Sequence, residues 1–209
     1  MSDVWHFDGS WGKGFGSDSE FIDDGDSLVV SGGICQIVAR RTATPSGRAY
    51  ASTIVSTRDR WSQAFGTWEV RLRLPRGRAL WPAFWLDPAD GSWPPEIDIV
   101  EALPPGSTAS NGPAVDATLH YGSNNRVATI HLPTGVDLSE DFHVYKMVWT
   151  PQSLAFYLDG APVGEITTHV PTGPMFPILN LAVGGQGIKP NSSTPDVAAL
   201  QVDYIRITP

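Results

Sequence analysis

The chain has 209 residues, 17% of them charged, and a formal net charge of −8. That length suits a single domain, residues 1–209, with a substantial core, and the negative balance argues against a nucleic-acid backbone as partner. No apolar run is long enough to span a membrane, residues 1–22 carry no charged-then-apolar leader, and the lone Cys35 permits no intrachain disulfide.

The 21 Gly and 18 Pro fit many short strands joined by tight turns better than helices. In chain order, residues 4–7 read as an edge strand entering a glycine-rich loop at 8–17. Residues 27–31 and 34–40 flank Gly32-Gly33, a hairpin signal. A β-branched run covers 50–57, and Trp68-Glu69-Val70-Arg71-Leu72-Arg73-Leu74 alternates cleanly, as a half-buried strand does. The apolar run 80–86 contains Pro82 and leads into a loop over 87–95, where Pro94-Pro95 keeps helix out of the following segment. Strand-like segments then recur at 115–121, 127–131, 142–150, 154–158, 162–166, 178–183 and 200–207, with Asp159-Gly160 as a second hairpin turn. This spacing, with no sustained helical period, predicts an all-β sandwich of two packed antiparallel sheets.

The most informative segment is Glu96-Ile97-Asp98-Ile99-Val100-Glu101. Acidic and aliphatic residues alternate up to Ile99, which places carboxylates on one face and core on the other. Strict alternation would bury Glu101 among the aliphatics at a cost of several kcal/mol. A β-bulge with Val100 as the extra residue returns it to the face of Glu96 and Asp98. The two glutamates would then stand roughly 13 Å apart at Cα, and leaning together they would bring their carboxyls to about 5–6 Å, the separation used by retaining glycosidases. The alternative is a strand whose outer face is merely acidic, although three crowded carboxylates repel one another. Eight Trp residues supply broad rings suited either to sugar faces or to the core; Trp93 and Trp61 are taken as stacking surfaces along a cleft.

Several stretches resemble glycoside hydrolase family 16: Phe65-Gly66-Thr67-Trp68-Glu69-Val70-Arg71, Leu80-Trp81-Pro82-Ala83-Phe84-Trp85-Leu86, the segment 93–101, Thr118-Leu119-His120-Tyr121-Gly122 and Leu179-Asn180-Leu181-Ala182-Val183-Gly184-Gly185. The resemblance covers nearly the whole chain and implies a jelly-roll sandwich with a concave cleft. It assigns Glu96 as nucleophile, Glu101 as general acid/base, and Asp98 as the carboxylate that orients and tunes them. It further places Trp81 and Trp85 on the wall around the reacting sugar, and His120 near the acid/base. Because Trp81 and Trp85 share a parity, an extended segment would put both on one face.

By the same resemblance catalysis needs no cofactor, but a structural Ca²⁺ is expected at Asp203, with backbone carbonyls near Gly33 as co-ligands. The implied activity is retaining endo-cleavage of internal β-1,3 bonds in a neutral β-glucan, by a secreted, monomeric protein whose polysaccharide substrate is its partner. Two departures leave the linkage open. Thr53-Ile54 stands where β-1,3-glucanases usually have Arg, and Gln186-Gly187-Ile188 lacks their usual tryptophan. Mixed-linkage glucanase, galactan hydrolase and transglycosylase are the alternatives within the family, and a non-catalytic carbohydrate-binding sandwich is the alternative outside it.

Overall fold

A computed structural model describes residues 3–11, 14–103, 114–132 and 137–209; Gly12 and Lys13 of the glycine-rich loop lie outside them. The strands are β1 (His6–Phe7), β2 (Ser19–Phe21), β3 (Leu28–Ser31), β4 (Ile34–Arg41), β5 (Tyr50–Ser52), β6 (Ile54–Ser56), β7 (Gly66–Arg73), β8 (Leu80–Pro88), β9 (Glu96–Leu103), β10 (Ala114–Tyr121), β11 (Arg126–His131), β12 (His143–Trp149), β13 (Leu154–Leu158), β14 (Ala161–Ile166), β15 (Met175–Val183) and β16 (Val197–Thr208). They form two sheets. One runs β1-β6-β15-β8-β9-β10-β11; the other runs β14-β13-β12-β7-β16-β4-β5-β2, with β3 also paired to β4.

The local rules read from the sequence hold in these strands. Gly32 (φ 58°) and Gly33 (φ 82°) make the tight turn that sets Ser31 opposite Ile34. In β7, Trp68, Val70 and Leu72 are buried, while outward Glu69 accepts a hydrogen bond from the Tyr204 hydroxyl and Arg71 pairs with Asp203. The run over 50–57 is divided: β5 pairs with β4 and β2 in one sheet, whereas β6 pairs with β15 and β1 in the other. β-Branched composition specifies extended chain but not which sheet receives it.

The main core fills the space between the sheets and includes Ile37, Trp68, Val70, Phe84, Leu86, Ile97, Leu119, Tyr145 and Trp149, each at most 1% exposed. A second apolar cluster lies on the other face of β8 and β15, where Ala83, Trp85, Ile178 and Ala182 meet Phe21 and Ile54 and are packed by Phe7, Trp11 and Phe15. Strand β15 is therefore buried along its whole length. The amino-terminal segment thus covers one flank of a sheet face whose remainder is open, and the cleft begins where that cover ends.

Candidate active site

Strand β9 contains the bulge that the alternation requires, but its extra residue is Ile99 and not Val100. Against β8, Val100 faces Phe84 and Asp98 faces Trp85, so Ile99 has no partner. Against β10, Ala117 alone spans the gap between the pairs Asp116–Glu101 and Thr118–Asp98. Both bulge residues are buried, Ile99 at 2% and Val100 at 1% exposed. Two successive aliphatic side chains thus go inward, and Glu101 returns to the face of Glu96 and Asp98.

The resulting cleft has a volume of about 540 Å³ and is lined by all three carboxylates together with Trp81, Trp85, Trp93 and His120. Trp81 and Trp85 share a face, as their parity demands. Each glutamate is held by an indole: Trp81 Nε1 donates to Glu101 Oε1 at 2.6 Å, and Trp93 Nε1 donates to Glu96 Oε2 at 2.6 Å. Trp85 Nε1 instead donates to Asn180 Oδ1 at 2.8 Å, and its ring meets Trp11 edge-on at 5.1 Å, so it forms floor where Trp93, 52% exposed, forms rim. Gly185 (φ 110°) lets the chain pass under Trp81, because a Cβ there would lie 2.5 Å from the indole ring.

His120 sits opposite Glu96 in the ladder. Its Nδ1 donates to Asn125 Oδ1 at 2.9 Å, and its Nε2 lies 3.2 Å from Asp98 Oδ2 and 3.7 Å from Glu96 Oε1. The histidine therefore approaches the Glu96–Asp98 end of the row. The contact with Asp98 is an ion pair without hydrogen-bond alignment, which leaves that buried oxygen unpartnered among the described residues. Burial, then the charge of Glu96, raises the Asp98 carboxyl well above its usual range. Burial alone would lower His120, but contact with Asp98 and the charges of Asp98 and Glu96 push it up to about 9. Burial also raises Glu101; the Trp81 hydrogen bond opposes this and the charge of Glu96 adds to it. Asp98, Glu101 and His120 consequently retain protons to higher pH than isolated side chains would.

Comparison with known proteins agrees with this geometry. The glycosyl hydrolases family 16 profile matches residues 17–206. The chain belongs to that family. It is 34% identical over 162 residues to endo-1,3-1,4-β-glycanase ExsH of Rhizobium meliloti (strain 1021), covering 77% of this chain and 34% of that protein. It is also 34% identical over 212 residues to a β-glucanase of Rhodothermus marinus, covering 87% of this chain and 70% of the relative. Among solved structures, the laminarinase catalytic domain of Thermotoga maritima MSB8 superposes with a TM-score of 0.83 at 28% identity, covering 99% of this chain and 92% of that one. The chain spans only about a third of the length of ExsH.

Some expected features of this family 16 chain lie elsewhere than anticipated. Trp61 does not line the cleft: its ring packs 5.7 Å from that of Trp68, at the margin of the main core. Asp203 and Gly33 do line one surface pocket together, but Asp203 Oδ2 accepts a hydrogen bond from Arg71 Nη1 at 2.5 Å. Of the two sequence departures, Ile54 is fully buried in the amino-terminal cluster and Gln186 lines the cleft.

Further cleft or near-cleft residues carried no local sequence signal. Trp11 and Phe15 line one flank. Asp116, 4% exposed and paired with His131, lies opposite Glu101. Asp87 lies on the cleft face of β8, where burial, then the charge of Glu96, raises its carboxyl to about 7.

Proposed function

We propose that this chain is the catalytic domain of a retaining endo-β-glucanase that cleaves internal β-1,3 linkages of a neutral glucan. The observation that carries this reading is the bulged row itself, in which Glu96 and Glu101 share a cleft face and each receives an indole N–H. Glu96 attacks the anomeric carbon while Glu101 protonates the departing glycosidic oxygen. This leaves a covalent glycosyl-enzyme on Glu96. Glycosylation removes the charge of Glu96, one of the influences that raises Glu101, so Glu101 becomes a stronger acid and its conjugate base can deprotonate the attacking water. Asp98 and His120 hold the nucleophile end of the row. No cofactor enters these steps.

Support for the substrate comes from the names of the relatives, a 1,3-1,4-β-glycanase, a β-glucanase and a laminarinase, and from a tryptophan-walled cleft in which, among the described residues, carboxyl groups outnumber cationic ones. The test is product analysis with laminarin, mixed-linkage β-glucan, agarose, carrageenan and xyloglucan. Laminarin should yield a ladder of oligosaccharides, and Glu96→Gln should lose several orders of magnitude in rate. Degradation of agarose, carrageenan or xyloglucan with laminarin untouched would refute the linkage.

A further inference from the structure

At the nucleophile end of the cleft, Asp87 and Arg58 form a long ion pair that the chemistry above does not use. Asp87 is only 6% exposed: its Oδ1 is closed off without a hydrogen-bond partner among the described residues, and Oδ2 is the oxygen left for a ligand in the cleft. Its Oδ2 stands 3.9 Å from Arg58 Nη2, beyond hydrogen-bond reach. Arg58 cannot easily close that gap. Its Nε donates to the buried Asp8 at 3.2 Å, and its guanidinium lies 5.2 Å from the Trp11 ring and 4.8 Å from the Phe176 ring. Both Asp87 and Arg58 line the cleft.

A buried carboxylate with an orphaned acceptor destabilises the free protein, and an apolar side chain of similar size would serve the fold better. A sugar hydroxyl is the complementary group, because it accepts from a guanidinium N–H and donates to a carboxylate at once. We propose that Asp87 and Arg58 form a hydroxyl-reading subsite on the glycone side of the cleft, binding the sugar whose anomeric carbon faces Glu96 or the sugar next to it. The assignment to that side rests on Glu96 being the nucleophile, as in the function proposed above. Burial and the charge of Glu96 raise the Asp87 carboxyl, and the charge of Arg58 opposes them.

The test compares Glu96→Gln with the double variant Glu96→Gln/Asp87→Leu for binding of laminarihexaose by calorimetry, and compares the Tm of Asp87→Leu with that of the unaltered chain at pH 8. Loss of a hydrogen bond to a charged group should weaken binding by about tenfold to a hundredfold, while Tm rises because a buried carboxylate with an unsatisfied oxygen is gone. Equal affinity of the two Glu96→Gln proteins would overturn the subsite, and so would a lower Tm, which marks a structural carboxylate. If Asp87→Leu fails to fold, Asp87→Asn gives the same two readouts with a smaller loss of affinity. If Glu96→Gln itself does not bind laminarihexaose, the glucan reading has failed. The comparison is then made with the oligosaccharide released from whichever glycan of the panel is cleaved, and cleavage of none overturns both proposals.

Discussion

Trp81 performs two tasks that a single substitution separates. Its ring walls the cleft, and its N–H donates to Glu101 Oε1 at 2.6 Å. That hydrogen bond stabilises the carboxylate and so opposes the rise that burial imposes on Glu101. Trp81→Phe keeps an aromatic surface and removes the donor, so the Glu101 carboxyl should hold its proton to higher pH. The alkaline limb of kcat/KM, which reports the acid in the free enzyme, should therefore move upward. A pH–rate profile on laminarin checks this, and an unmoved or lowered limb would mean that the indole does not tune the acid.

The bulge in β9 gives a corresponding prediction for a strand. Deleting both bulge residues, Ile99 and Val100, places Glu101 directly after Asp98, and strict alternation then turns it toward the core beside Ile97 and away from the cleft. Activity should be lost, and the denaturation midpoint should fall by an amount equivalent to several kcal/mol, the cost of a buried unpaired carboxylate or of its forced protonation. A deletion variant of unchanged stability and rate would contradict this account of the strand.

The need for the bulge was legible in the sequence, because Glu101 breaks the parity that Glu96 and Asp98 set. Which residue is extra was not, since register is defined only by the partners Phe84 and Trp85 on β8. For the same reason Trp81, Trp85 and Trp93 could be placed from strand parity and adjacency to the acidic row. Trp61, in a loop with no period, could not be distinguished from a core plug. Trp11, Phe15, Arg58 and Asp87 reach the cleft through contacts between distant segments, which local patterning does not encode.

Considered together, the ionisable groups of the site give the protein a definite dependence on pH. His120 is raised from 6.5 to about 9, so its contribution to stability is fully present below its unfolded pKa and is lost as pH rises through the folded one. The Tm deficit of His120→Gln relative to the unaltered chain should therefore be largest at or below about pH 6 and shrink to near zero by about pH 10. A deficit that is constant across this range would place the histidine's stabilising role in packing. The most direct test of the whole scheme is stereochemical. If Glu96 and Glu101 stand about 5–6 Å apart at their carboxyls, no water fits opposite the leaving group and the reaction must pass through the glycosyl-enzyme on Glu96. Two inversions restore the starting configuration, so proton NMR of laminarin cleavage in the first minutes should show the β-anomer of the new reducing end before mutarotation. Prompt appearance of the α-anomer would contradict the nucleophilic role of Glu96.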